Sequence, residues 1–212
     1  MAGSSAATNV ANEPAGARRK RGRGRPRDAR RHAAILETTR ALILEAGYSR
    51  VTFDAVAKRA GVSRTTVHKW WGHRALLVEE ALFPDYSNMP LPDTGHFEGD
   101  LECLIEEMVE RMTRPELVRG MPPLRAEILS NPELLDSTRS LYADPAVERW
   151  QVVFERAAER GELPPSANAQ AAMHVVLGSI AFIAQVQPKM ILPRRELTPY
   201  LVSLLLRGIR DG

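Results

Sequence analysis

Apolar residues recur every three or four positions along most of the chain, the spacing that one face of an α-helix produces. The first clear stretch runs from Asp28 to Ala46 and stops at Gly47. Its apolar stripe comprises Ala33, Ile35, Leu36, Thr39, Leu42, Ile43 and Ala46. No alternating apolar pattern of useful length is present, which disfavours strands. The chain is therefore predicted to be all-α.

The stretch from Val51 to Leu77 predicts two short helices joined by a tight turn, followed by a third helix. Thr52 is a helix-capping residue type, and the residues that follow it keep helical spacing. Gly61 is expected to end the first short helix, because glycine adopts a left-handed backbone without steric cost. Ser63 then offers a cap for the next helix.

The helix after Ser63 has one apolar side and one polar side. The apolar side holds Val67, Trp70 and Trp71. The polar side consists of Arg64, Thr65, Thr66, His68 and Lys69. A short helix of cations and small hydroxyls, held by a glycine-containing turn against another helix, is typical of a helix-turn-helix. The pattern therefore predicts a DNA-reading element.

Helical patterns continue on both sides of a proline-rich break at residues 84–96. Before the break, His73–Leu82 completes a unit of three or four helices. Beyond it, helices are predicted at Phe97–Met112, Pro115–Leu129, Pro132–Tyr142, Asp144–Arg160, Ala167–Gln187 and Thr198–Ile209. The predicted organisation is a disordered basic arm over 1–26, a DNA-binding domain over 27–83 and a second helical domain over 97–212.

The net charge of +3 conceals an asymmetry along the chain. Residues 1–80 carry a net charge of +9, and residues 81–212 a net charge of −6. This difference predicts that only the first part meets a polyanion. Within the arm, Arg23 and Arg25 are expected to follow the DNA backbone or to enter a narrow minor groove. The alternative is a solvated basic tail or a cleavable leader.

The segment from Arg27 to Leu82 resembles the DNA-binding domain of the tetracycline-repressor (TetR) family. The shared features are a long first helix ending at Gly47-Tyr48, then Val51-Thr52, and the run from Ala57 through Ala60-Gly61-Val62-Ser63. The match continues with Thr66-Val67, an aromatic residue at Trp71, Arg74 and Leu77. The resemblance implies a second domain that binds a small molecule and dimerises. The chain departs from the family at His68, where a tyrosine is usual, and at Arg74, where a lysine is usual.

The predicted DNA contacts fall into two kinds. Arg64 and Thr65, at the start of the helix, are expected to reach base edges in the major groove. Others are expected to contact phosphates, which position the protein without reading sequence. Thr52, His68, Lys69 and Arg74 carry that role, and Ser63 and Thr66 are further candidate DNA contacts without an assigned kind. Ser63 has the alternative of acting only as a cap.

In the second domain, a stripe of methionines and aromatic residues has two interpretations, plain core or the lining of a mostly apolar cavity. The candidate ligand-binding residues are Met108, Met112, Met121, Leu124, Ile128, Trp150, Phe154, His174 and Leu177. His174 is the polar group expected to orient a small, largely apolar effector, although a lone histidine on an apolar face is more often a core residue.

The last two predicted helices have more apolar surface than a single core requires. Small residues such as Ala171, Gly178 and Ala181 permit close approach of helices. Two helices from each subunit are therefore predicted to form a four-helix bundle in a homodimer. A dimer also suits a helix-turn-helix, because two recognition helices related by symmetry read a palindromic operator.

Several other functions are disfavoured. The chain has one cysteine and lacks the spacing of a metal site, and none of the common nucleophile or phosphate-binding motifs is evident, so neither an enzyme nor a bound metal or cofactor is expected. No run of about 18 apolar residues occurs, so a cytoplasmic protein without a membrane span is expected. The predicted function is a ligand-responsive repressor. The alternatives are a DNA-binding regulator without an effector, and RNA or membrane binding through the arm alone.

Overall fold

The computed structural model describes residues 26–83, 89–140, 144–186 and 193–210. Within these ranges the secondary structure is helical and contains no strand. The first group of helices is α1 (Pro26–Ala46), α2 (Phe53–Ala60), α3 (Arg64–Trp71) and α4 (Arg74–Leu82), with a 3₁₀ turn at Tyr48–Arg50. The second group is α5 (Phe97–Met112), α6 (Pro115–Leu129), α7 (Pro132–Thr138), α8 (Asp144–Glu159), α9 (Ala169–Val186) and α10 (Arg194–Arg210). The all-α prediction is confirmed.

The caps that the sequence predicts around α2 and α3 are present. The hydroxyl of Thr52 accepts a hydrogen bond from the Ala55 amide at 3.1 Å. Gly61 ends α2 in the left-handed region, with φ of 67°. Ser63 accepts from the Thr66 amide at 3.1 Å and so begins α3. These groups satisfy amide donors that a helix start otherwise leaves unpaired.

Some predicted helix ends differ from the structure. The first helix starts at Pro26, because a proline in the first turn has no amide that needs a partner. The helix predicted from Ala167 starts at Ala169, where the side chain of Asn168 accepts from the Ala171 amide. The prediction that Thr198 caps the last helix is wrong. α10 starts at Arg194, and Thr198 is buried inside it.

The ends predicted at Tyr142 and Gln187 lie outside the described residues, as do the whole of the predicted arm before Pro26 and residues 84–88 of the predicted boundary. α6 runs without interruption through Pro122 and Pro123.

One hydrophobic core runs through both groups of helices. α6 packs on α1 and α4, and thus joins the first group to the second. Gly120 lies at this junction, where an added Cβ would come within 3.0 Å of Leu82 and 3.3 Å of Ile43. Both α9 and α10 pack against α5, which is the central helix of the second group.

One described helix, Ala169–Val186, is long and apolar enough to cross a membrane by length and composition alone. A third of that window is buried inside the protein. Its buried side contains Met173, Val176 and Ile180, packed against helices of the second group. Its opposite side is exposed and also carries apolar residues, among them Val175, Phe182 and Val186.

Candidate DNA-reading surface and effector cavity

The outer face of α3 presents the polar side chains that the sequence assigns to DNA contact. Arg64, Thr65, His68 and Lys69 are exposed, whereas Val67 and Trp71 are buried. The apolar side therefore attaches the helix to the core, and the polar side is left to solvent. Thr52 and Ser63 are also exposed, at the starts of α2 and α3.

Arg64 is held only weakly in the absence of DNA. Its Nε lies 3.5 Å from Oδ1 of Asp54, and the two side chains are 67% and 70% exposed. An ion pair this open to water contributes little free energy. Arg64 can therefore leave Asp54 for a base edge at small cost.

Thr66 and His68 are partly committed to contacts within the protein. The hydroxyls of Thr66 and Ser63 lie 2.8 Å apart, so Thr66 supports the cap of its own helix. The His68 ring meets the Phe53 ring edge-on, with centroids 5.6 Å apart. This contact fixes the direction in which His68 leaves the helix.

An aromatic cluster fastens α3 to α1 and α4. The His32 ring stacks on Trp71 with centroids 5.2 Å apart, and the Trp71 indole donates to Glu80 at 2.7 Å. Glu80 also lies 3.1 Å from Nε2 of His32. Trp70 packs against the edge of this cluster and remains half-buried. The cluster sets the angle at which α3 leaves the core.

Arg74 is bound to the second group of helices. Its guanidinium donates to Glu127 of α6 and lies 4.6 Å above the centre of the Tyr48 ring. The Tyr48 hydroxyl donates to the same Glu127 at 2.8 Å. Burial alone raises the pKa of Glu127, but the bonds from Arg74 and Tyr48 outweigh it and lower the pKa. Arg74 as a phosphate contact stays a prediction, and its observed partner is the carboxylate of Glu127.

Arg23 and Arg25, the two remaining predicted DNA contacts, lie outside the described residues.

A cavity of about 160 Å³ lies between α4, α5, α6, α8 and α9. Five of the nine predicted ligand-binding residues line it, namely Met108, Met112, Met121, His174 and Leu177. The other four predicted residues do not line this cavity. Leu124 and Ile128 are buried on α6 outside the lining, and Trp150 and Phe154 stack in the core with ring centroids 6.3 Å apart.

The sequence interpretation missed the most unusual residue of this cavity, Glu79. The residue is 8% exposed, and its Oε2 has no hydrogen-bond partner among the residues that the structure describes. Burial raises the pKa of Glu79 to about 7, against a smaller lowering by the charge of Arg125. His174, the polar group expected to orient the effector, also lines the cavity, but its side chain is exposed.

A signal for Glu79 exists in the sequence. Ala75 and Leu82 lie one turn before and one turn after position 79 on the buried face of α4, so an acid at this position interrupts an apolar stripe. The remaining lining residues come from three separate helices and from Phe83, just after α4. They are Phe83, Arg125, Ala146, Met173, Ala181 and Gln185.

The arrangement is that of a helix-turn-helix transcriptional regulator with a cavity-bearing helical domain, and comparison with known proteins agrees. Residues 35–81 match the family described as bacterial regulatory proteins, tetR family. Residues 91–196 match the tetracyclin repressor-like, C-terminal domain. The chain belongs to the TetR family of DNA-binding transcriptional regulators.

The relatives cover most of the chain. The DNA-binding transcriptional repressor TetR of Mycobacteroides abscessus is 33% identical over 141 residues, which is 62% of this chain and 70% of that protein. The uncharacterized HTH-type transcriptional regulator YdeS of Bacillus subtilis is 29% identical over 76% of this chain and 81% of its own length. Among solved structures, the TetR family transcription regulator SCO0332 superposes with a TM-score of 0.66 at 26% identity, over 84% of this chain and 98% of that one.

Proposed function

We propose that this protein is a homodimeric repressor that binds a palindromic operator through α3 and releases it when a small, largely apolar effector occupies the cavity. Residues 27–83 then form the DNA-binding domain, and residues 97–212 the effector and dimerisation domain, of a regulator that works in the cytoplasm. The observation that carries DNA reading is the exposed polar face of α3, with Val67 and Trp71 anchoring its other side. Repression, rather than activation, is supported by the name of the M. abscessus relative, a DNA-binding transcriptional repressor.

Dimerisation is supported by exposed stripes on the last two helices. On α9 the stripe is Ala171, Val175, Gly178, Phe182 and Val186, all exposed and spaced by three or four residues. On α10 it is Tyr200, Leu204 and Gly208. Phe182 is 56% exposed and Tyr200 60% exposed. Large apolar side chains aligned on one helix face are typical of a protein–protein interface.

Phe182→Glu tests the dimer. We expect the mass in light scattering to fall from twice 23.6 kDa to 23.6 kDa, because a charge in the centre of an apolar interface has no partner. Leu129→Glu is the matched control, since Leu129 is 63% exposed on α6, away from both stripes. A wild-type monomer, or equal loss in both variants, contradicts the interface.

Coupling between effector and operator is supported by the position of α4. This helix carries Arg74, which binds Glu127 of α6, and Glu79, which lines the cavity. An effector that displaces α4 therefore changes the position of α3 relative to its copy in the dimer. To change the ratio of released to operator-bound conformation from 1:99 to 99:1, the effector must bind the released conformation more favourably by about 5.5 kcal/mol.

Selection of binding sites from random duplex DNA tests the function as a whole. We expect enrichment of a sequence with two inverted half-sites, because a two-fold dimer reads DNA symmetrically. Enrichment without symmetry contradicts the dimeric mode. No enrichment at all contradicts sequence-specific DNA reading.

A further inference from the structure

We propose that the effector of this protein is a compact apolar amine in its cationic form, whose ammonium group pairs with Glu79. The inference rests on the proposed role of the cavity as an effector site and adds the chemical class of the ligand. It follows from the acidic side chain of Glu79 in the lining, from the shape of the space around it and from the balance of charge.

The first argument is the unpaired oxygen. Buried polar atoms in proteins are almost always hydrogen-bonded, and a buried carboxylate without a partner is costly. Oε2 of Glu79 has none among the described residues, although the side chain is more than nine-tenths buried and lines the cavity. A ligand that donates a hydrogen bond to this oxygen removes the cost.

The second argument is the sign of the charge. Arg125 also lines the cavity, but its side chain is exposed and therefore solvated. An anionic ligand would gain little from this solvated cation and would lie near the carboxylate of Glu79, which repels it. A cation gains the charge-assisted bond to Glu79, which is stronger than a bond between neutral groups.

The third argument concerns the body of the ligand. Met108, Met112, Met121 and Met173 line the cavity together with Phe83 and Leu177. Methionine side chains adapt to irregular shapes, and their sulfur atoms make favourable contacts with aromatic rings. An apolar cavity of roughly 150 Å³ holds a benzene-sized group. A single ring or a short branched chain next to the amine therefore fits the space of about 160 Å³.

Three probes with the same apolar body separate these contributions. They are 2-phenylethylamine, 2-phenylethanol and phenylacetate, titrated by calorimetry into the protein at about pH 8, above the pKa of about 7 to which burial raises Glu79, so that its carboxyl is ionised. We expect the amine to bind roughly tenfold more tightly than the alcohol or better, because of the charge-assisted bond. The carboxylate is expected to bind weakest. Equal binding of amine and alcohol, or tightest binding of the carboxylate, overturns the proposal.

Glu79→Gln assigns the preference to this residue, since glutamine keeps the size of the side chain and removes its charge. We expect the variant to bind amine and alcohol alike, and Glu106→Gln, an exposed acid on α5, to keep the preference. Thermal unfolding of each variant reports whether it is folded. If the amine preference persists in folded Glu79→Gln, the assignment to Glu79 is wrong.

The outcomes also separate this inference from the proposed function. In one outcome the alcohol binds the cavity and weakens binding of the protein to the selected operator, whereas the amine does neither. This result would support the cavity as an effector site and contradict an amine as the effector. If none of the three probes binds, both the amine class and the use of this cavity as an effector site are contradicted.

Discussion

The DNA-reading surface and the cavity differ in whether their polar groups are hydrogen-bonded within the protein. Around α2 and α3, the capping side chains Thr52 and Ser63 accept bonds, and the buried Trp71 indole donates to Glu80. In the cavity, Oε2 of Glu79 is buried and accepts no hydrogen bond from the described part of the chain. The first region is complete without a ligand, and its chemistry faces outward. The second region is incomplete, and an unsatisfied group of this kind indicates where a ligand completes the structure.

This difference separates stability from function. Where the capping and buried side chains are paired, as around α2 and α3, their substitution is expected to destabilise the fold. Where a buried carboxylate oxygen lacks a hydrogen bond, as at Glu79, removing the charge is expected to stabilise the fold and to impair binding, because functional sites often sacrifice stability. Three substitutions test the contrast, taken from the largest expected effect to the smallest.

Trp71→Ala is expected to lower the free energy of unfolding by about 3–5 kcal/mol, because it removes a buried aromatic side chain and leaves a cavity. Trp71 is 6% exposed and also loses its bond to Glu80. Trp70→Ala is the matched control and is expected to cost about 1–2 kcal/mol, since Trp70 is only half-buried. Urea unfolding measures both, and equal losses would show that α3 is not anchored through Trp71.

Glu79→Gln is expected to raise the free energy of unfolding by roughly 2–4 kcal/mol at about pH 8. Burial raises the pKa of Glu79 to about 7, so the native carboxyl holds its proton more tightly than the unfolded one. The wild type therefore loses stability as the pH rises from about 4.5 to about 7, and the gain in the variant disappears below that range.

Thermal unfolding of Glu79→Gln and wild type across this pH range provides the measurement. Glu106→Gln is the control and is expected to stay within about 0.5 kcal/mol, because Glu106 is exposed. A destabilised Glu79→Gln at about pH 8 would mean that the carboxylate has a partner and that the contrast with α3 is false.

Glu127→Gln is expected to lower the free energy of unfolding by about 1–2 kcal/mol, because it weakens charge-assisted bonds from Arg74 and Tyr48 in a partly exposed site. Since the pKa of Glu127 is lowered in the native state, this contribution is present above about pH 4.5 and is lost as the pH falls below it. Tyr48→Phe keeps the ring under Arg74 and is expected to cost less. A larger loss in Tyr48→Phe would place the stabilisation in the hydroxyl instead.

Much of the first region was predictable because its signals are local. Thr52, Gly61 and Ser63 act on amides within a few residues, and the polar face of α3 follows from helical spacing alone. The ends of α5 and α6 were predicted for the same reason, since Pro115 and the apolar stripes mark them directly.

The cavity was only partly predictable because helices distant in the sequence build it. Helical spacing placed Met108 and Met112 on an apolar face, and both line the cavity. The same spacing placed Trp150 and Phe154 on the apolar face of α8, but it could not show that this face packs in the core and does not line the cavity. The pairing of Arg74 with Glu127 joins residues 53 positions apart, so local pattern favoured phosphate as its partner. The start of α10 was missed because threonine is a common capping residue, so the helix was predicted to begin at Thr198. The helix begins at Arg194, and Thr198 is buried inside it.

The central claim, that α3 reads DNA sequence, is tested most directly by Arg64→Ala and Lys69→Ala, two exposed cations of the same helix. Fluorescence anisotropy measures the affinity of each variant for the selected operator and for random duplex DNA. We expect Arg64→Ala to lose about 1–3 kcal/mol on the operator and little on random DNA, and Lys69→Ala to weaken both alike. Equal losses of Arg64→Ala on both DNAs would contradict the claim that this helix reads bases through Arg64.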